Sequence, residues 1–233
     1  METMKPRFLS WLLLALLGVS LVRAEGAPTP RPDPQRYAKE ITAFAAQAPE
    51  KGGIVFTGSS SIRLWKTLAA DFPGLPVLNR GFGGSVANDL MVHFETVIAR
   101  HEPKLLVLYT GGNDINAKLT VDEAMADYVG VLEKVHQRFP VTRVIINSVK
   151  VSPRRITETP QILEMNRRLQ AWTKDHAWVR YVDTTSYLMD ANGQPQPKYY
   201  VKDMLHLNAD GYAEWRKILF PIVEEEWRAV RKG

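Results

Sequence analysis

Asp203 and His206 are the pair whose spacing points most directly to chemistry. A carboxylate three residues before a histidine can turn back and hold the imidazole Nδ1–H. That aims Nε2 outward and stabilises the imidazolium formed when Nε2 takes a proton. The same stretch also reads as a loop leading into a helix, with a surface histidine and Asn208 as the cap. Ser60 lies in Gly58-Ser59-Ser60-Ser61, directly after the apolar run Ile54–Thr57. A serine between a strand end and a helix start exposes its hydroxyl, and its N–H sits at the positive end of the helix dipole. Three serines in that place also serve as plain helix caps. Gly83 and Gly84 close the segment Asn79-Arg80-Gly81-Phe82-Gly83-Gly84-Ser85. Glycines there let the backbone approach a ligand. The dinucleotide pattern G-x-G-x-x-G fails, because Val86 stands at the third glycine's place. Asn113, in Thr110-Gly111-Gly112-Asn113-Asp114, can donate its amide to a developing negative charge. As a bare segment it is also an ordinary Asn-Asp turn.

These four segments act together only if regular elements carry them to one place. Short apolar runs predict strands at Ile54–Thr57, Val77–Asn79, Leu105–Thr110, Val144–Asn147 and Val179–Val182. Between them, helical spacing predicts helices at Tyr37–Ala48, Ser60–Ala70, Ala87–Arg100, Val121–Phe139, Pro160–His176 and Asn208–Arg228. Strands that are apolar throughout, alternating with amphipathic helices, imply a parallel sheet covered on both faces. The expected fold is a three-layer α/β/α sandwich with a mostly parallel sheet of about five strands. Ligands of such sheets bind beyond the carboxyl ends of the strands, where all four segments fall.

The order Ser, Gly, Asn, Asp-x-x-His at these places resembles the SGNH hydrolases, also called GDSL esterases/lipases. The resemblance runs from Gly58 to His206, and the Asp-x-x-His block before a C-terminal helix is its most specific part. The segment Ile54–Trp65 is also similar to the first block of bacterial members resembling platelet-activating-factor acetylhydrolase. The resemblance implies an SGNH, flavodoxin-like fold and hydrolysis of carboxylic esters. It makes Ser60 the nucleophile and Asp203 and His206 the acid and base. The oxyanion hole falls to Ser60, Gly84 and Asn113, and no metal or other cofactor is implied. Two positions depart from the family: Ser59 stands where its Gly-Asp-Ser has Asp, and Ser85 where Asp often follows the oxyanion glycine. The elbow G-x-S-x-G of another hydrolase fold is not met, since Ile62 fills its last place. Glycan O-acetyl esterase, lysophospholipase and thioesterase chemistry would use the same site. A non-catalytic binding module on this fold is the alternative of another class.

The chain has 233 residues, 45% of them hydrophobic and 24% charged, a globular composition. Residues 1–24 carry Lys5, Arg7 and Arg23 against Glu2, so the formal charge of +5 falls to +3 over the rest. That balance is too mild and too scattered to argue for nucleic acid. Cysteine is absent, which excludes disulfides, thiolate metal sites and a cysteine nucleophile. A basic start, an apolar stretch Phe8–Val22 and small residues at Val22 and Ala24 read as a signal peptide cleaved after Ala24. The expected organisation is a signal peptide over 1–24, a Pro-rich extended linker over 25–34 and a catalytic domain over 35–233. Export to the periplasm or medium follows, with no stable membrane insertion after cleavage. The expected partner is a small-molecule or glycan ester substrate; the sequence is silent on oligomeric state.

Overall fold

The computed structural model describes residues 27–231; the signal-peptide expectation lies outside them. Five strands form one sheet: β1 (Ile54–Gly58), β2 (Val77–Gly81), β3 (Leu105–Tyr109), β4 (Arg143–Asn147) and β5 (Val179–Val182). All four pairings are parallel, and the strand order is β2-β1-β3-β4-β5. This is the doubly wound, flavodoxin-like order, as expected of a sheet built from continuous apolar runs.

Side-chain alternation along each strand divides the core. Val55, Leu106, Leu108, Val144 and Ile146 face one layer. There they meet α1 (Ala38–Ala46), α4 (Ala87–Val92), α5 (Phe94–Val97), α7 (Val121–Arg138) and α8 (Thr159–Thr173). Ile54, Phe56, Leu105, Val107, Tyr109 and Ile145 face the other layer. It is filled by α2 (Ser60–Arg63), α3 (Leu68–Asp71) and α9 (Ala209–Val230), with Trp65, Phe72, Trp215, Leu219 and Val223 at its centre.

Two predicted helices are broken. Ser60–Ala70 becomes α2 and α3, because the chain leaves the helix to bury Trp65 against Phe56, Phe72, Tyr212 and Trp215. Ala87–Arg100 becomes α4, α5 and a 3-10 turn, Ala99–His101, that buries His101. Tyr37–Ala48 is shorter than predicted. Tyr37 ends a 3-10 turn begun at Pro34, α1 stops at Ala46, and Ala48 is exposed. The described part of the Pro-rich segment is extended and docked. Thr29 donates to Glu123, and Arg31 makes two bonds to Asp127, at 2.8 and 3.1 Å, on α7. No helix among the described residues is long and apolar enough to cross a membrane.

Candidate active site

β1 ends at Gly58, whose φ of 127° is open to glycine; a Cβ there would lie 1.8 Å from the Tyr109 carbonyl oxygen. The chain therefore turns tightly against β3, and Ser59 N–H donates to Tyr109 O at 3.0 Å. Ser60 is the first residue of α2. Its neighbours Ser59 and Ser61 are buried, so the three serines are not equivalent.

The Asp203-Met204-Leu205-His206 turn comes back over this point. His206 Nε2 lies 2.9 Å from Ser60 Oγ, and His206 Nδ1 lies 2.6 Å from Asp203 Oδ2. The other carboxylate oxygen, Oδ1, accepts from the N–H groups of Leu205 and His206, both at 2.9 Å. Burial works to raise the Asp203 pKa, but these donors outweigh it and hold the carboxyl near 2. Hydrogen bonds to the charged form have that effect. Asp203 and His206 side chains are 40% and 24% exposed, so the pair faces the solvent from which a substrate would come.

Three anchors hold the turn. Lys150 Nζ donates to Leu205 O at 2.7 Å, Arg154 N–H to Met204 O at 3.0 Å, and Val201 N–H to His206 O at 2.9 Å. Met204 takes a left-handed φ of 57° between them. Burial pushes the Lys150 ammonium down to about 7, with Arg155 acting the same way and Asp203 against it. Asn208 caps α9 as expected, accepting from Gly211 N–H at 3.0 Å.

On the other side of Ser60, Asn113 belongs to a short helix, α6 (Gly112–Asn116), which its Gly-Gly-Asn-Asp sequence did not announce. Asn113 Nδ2 donates to the Ser85 carbonyl at 3.0 Å. That joins the turn after β3 to the turn that carries Gly84, where φ is 82°. Asp114 makes the same connection from inside. Its Oδ1 accepts from Ala87 N–H at 2.9 Å and its Oδ2 from Gly111 N–H at 3.1 Å. Asp114 is fully buried, and burial pushes its carboxyl up to about 7, against those donors. Sequence reasoning placed Asp114 in a plain turn and missed this role, because its partner Ala87 is 27 residues away.

Ser60 and Asn113 share the wall of a small, partly open cavity of about 20 Å³, with Ser59, Ser61, Tyr109, Gly112, Lys150, Ser152, Arg155 and Leu205 among its other walls. A wider groove of about 490 Å³ runs between α1 and the α2–α3 segment, and neither Ser60 nor His206 lines it. Of the predicted residues, Ser60, His206 and Asp203 are joined by successive contacts, and Asn113 borders the same space as Ser60. Gly84 is reached through its neighbour Ser85.

A parallel sheet with a serine, a histidine and a carboxylate linked in that order beyond its carboxyl edge is an arrangement of the serine-hydrolase class. The model of the GDSL-like lipase/acylhydrolase family matches residues 41–214, and the chain belongs to that family of ester-hydrolysing enzymes. Solved structures share the fold. A GDSL-like lipase from Bacteroides thetaiotaomicron is 22% identical, with a TM-score of 0.69 over 83% of this chain and 98% of that one. A Streptococcus pneumonia protein provisionally named a platelet activating factor is 21% identical, with a TM-score of 0.70 over 79% and 90%. A variant of an acetyl-xylooligosaccharide esterase from Geobacillus is 14% identical, with a TM-score of 0.59 over 75% and 95%. No curated protein matches the sequence.

Proposed function

We propose that the chain is an exported serine esterase that cleaves small carboxylic esters with Ser60, His206 and Asp203. The observation that carries this reading is the unbroken link Ser60 Oγ–His206 Nε2 at 2.9 Å and His206 Nδ1–Asp203 Oδ2 at 2.6 Å. In the reaction, His206 takes the Ser60 proton and Ser60 Oγ attacks the ester carbonyl carbon. The carbonyl oxygen becomes an oxyanion, held by the N–H groups of Ser60 and Gly84 and by the Asn113 amide. The intermediate collapses, and the alcohol leaves with the proton from His206. Water, deprotonated by the same imidazole, then releases the acid from Ser60. Asp203 fixes the imidazole tautomer and supports its positive charge.

The small polar space beside Ser60 favours a short acyl group. Its volume of about 20 Å³ holds little more than one water. Lys150, Arg155, Ser61 and Ser152 make its walls largely polar, which disfavours a long alkyl chain. This supports acetyl esters, including O-acetyl groups of glycans, over lipid acyl chains. Export rests on the basic start, the apolar stretch and Ala24 at the sequence level.

The test is a panel of p-nitrophenyl esters of rising acyl length, run beside acetylated xylan, with wild type and Ser60→Ala. Activity is expected to be highest on acetate and to fall steeply with chain length, and Ser60→Ala is expected to abolish it. Activity retained in Ser60→Ala overturns the proposed nucleophile; a preference for long chains overturns the short-acyl reading.

A further inference from the structure

Arg155 follows β4 within a 3-10 segment, Pro153–Glu158, at a non-helical φ of −116° and ψ of 35°. Its side chain is only 17% exposed. Its Nη1 donates to the Gly112 carbonyl and to Asn113 Oδ1, both at 3.0 Å. Its Nε lies 3.9 Å from Glu158 Oε2, and Glu158 Oε1 accepts from Asn116 Nδ2 at 3.0 Å. Asn113 and Asn116 both belong to α6. Arg155 and Glu158 therefore close a ring on that one short helix.

A carboxamide has an accepting end and a donating end, and a half-turn of its side chain exchanges them. A guanidinium has donors only, so it can meet Asn113 only at Oδ1. The amide nitrogen is then forced to the opposite side. There Ser85 O takes one of its two hydrogens, at 3.0 Å, which leaves the second for an oxyanion in the cavity that Asn113 and Ser60 both line. We propose that Arg155 is a positioning residue for the oxyanion hole, acting through Asn113 by locking the direction of its amide. This deepens the esterase reading and rests on it. Arg155 also borders the cavity beside Ser60, so direct contact with the acyl group is the competing role.

A double-mutant cycle separates the two. Wild type, Arg155→Met, Asn113→Ala and the double variant are compared for kcat and KM on p-nitrophenyl acetate. Asn113→Ala is expected to lose about 10²–10³ in kcat. Arg155→Met is expected to lose about 10-fold in kcat with KM changed less than about 2-fold, because an amide held by Ser85 O alone turns away more often than one pinned at both ends. In the Asn113→Ala background the same substitution is expected to cost less than about 2-fold, since nothing remains to be oriented. Equal losses in both backgrounds overturn the proposal in favour of direct contact or a general structural effect. Unchanged kcat in Arg155→Met overturns it outright. Should Arg155→Met fail to fold, Glu158→Gln loosens the same guanidinium from its far side. It is read in the same cycle, with the same non-additivity expected and additivity overturning the proposal. Failure of the underlying reading looks different: Asn113→Ala itself would then keep full activity.

Discussion

The turns that carry Asp203 and Asp114 each aim a carboxylate at two backbone N–H groups, yet the two carboxyls live in opposite surroundings. Asp203 is 40% exposed and accepts in addition from the His206 ring. It keeps its charge down to about pH 2. Asp114 is fully buried, accepts from backbone N–H groups including those of Ala87 and Gly111, and is pushed up to about 7. Environment, not residue type, separates their work. The exposed carboxylate has a dependable charge to offer an imidazolium. The buried one is a cross-link between two loops.

The contrast is sharpest in activity. Asp203→Asn should keep the fold and lose on the order of 10⁴ in kcat, because the amide permits the wrong imidazole tautomer. Steady-state kinetics with a melting curve checks both halves; a loss below about 10-fold would erase the distinction between the carboxyls. Next in size is the loss of about 10²–10³ in kcat expected for Asn113→Ala, which tests whether the Asp114 turn exists to present that amide.

Stability should then respond to pH with opposite signs. The Asp114 pKa is raised on folding, so its contribution is complete below about pH 4 and declines as pH rises toward 7. The loss is a few kcal/mol at most. Urea midpoints at pH 4 and pH 7 should show that decline in wild type and a flatter dependence in Asp114→Asn. The Asp203 pKa is depressed on folding, so its contribution is present above about pH 4 and disappears as pH falls toward 2. Solvent screening of so exposed a group reduces that effect to about 1 kcal/mol or less. Comparing Asp203→Asn with wild type at pH 2.5 and pH 5 measures it. Slopes of the same sign for the two residues would break the comparison.

What the sequence disclosed follows from how far each interaction reaches. β1, β3 and β4 are largely apolar runs that write their burial into consecutive residues, whereas β5 buries only the valines at its two ends. α7 and α9 repeat buried positions at helical spacing, as Ala124, Tyr128, Val131 and Val135 do in one and Tyr212, Trp215, Leu219 and Val223 in the other. The break after Arg63 and the 3-10 turn after α5 were not visible, because Trp65 and His101 find their partners elsewhere in the core. Asp203 and His206 stood out since their contact spans three residues. Arg155 meets Asn113 across 42 residues, and Lys150 meets Leu205 across 55. No local pattern announces such pairs; only the fold brings the segment after β4 against the turns that carry Asn113 and His206.

The most direct test of the whole account is active-site labelling. Wild type, Ser60→Ala and Asp203→Asn are treated with a fluorophosphonate, and the adduct is mapped by peptide mass spectrometry. One adduct on Ser60 in wild type, none in Ser60→Ala and slow labelling in Asp203→Asn are the predicted results. A wild-type chain left unlabelled where a known serine esterase reacts, or an adduct on Ser59 or Ser61, would contradict it.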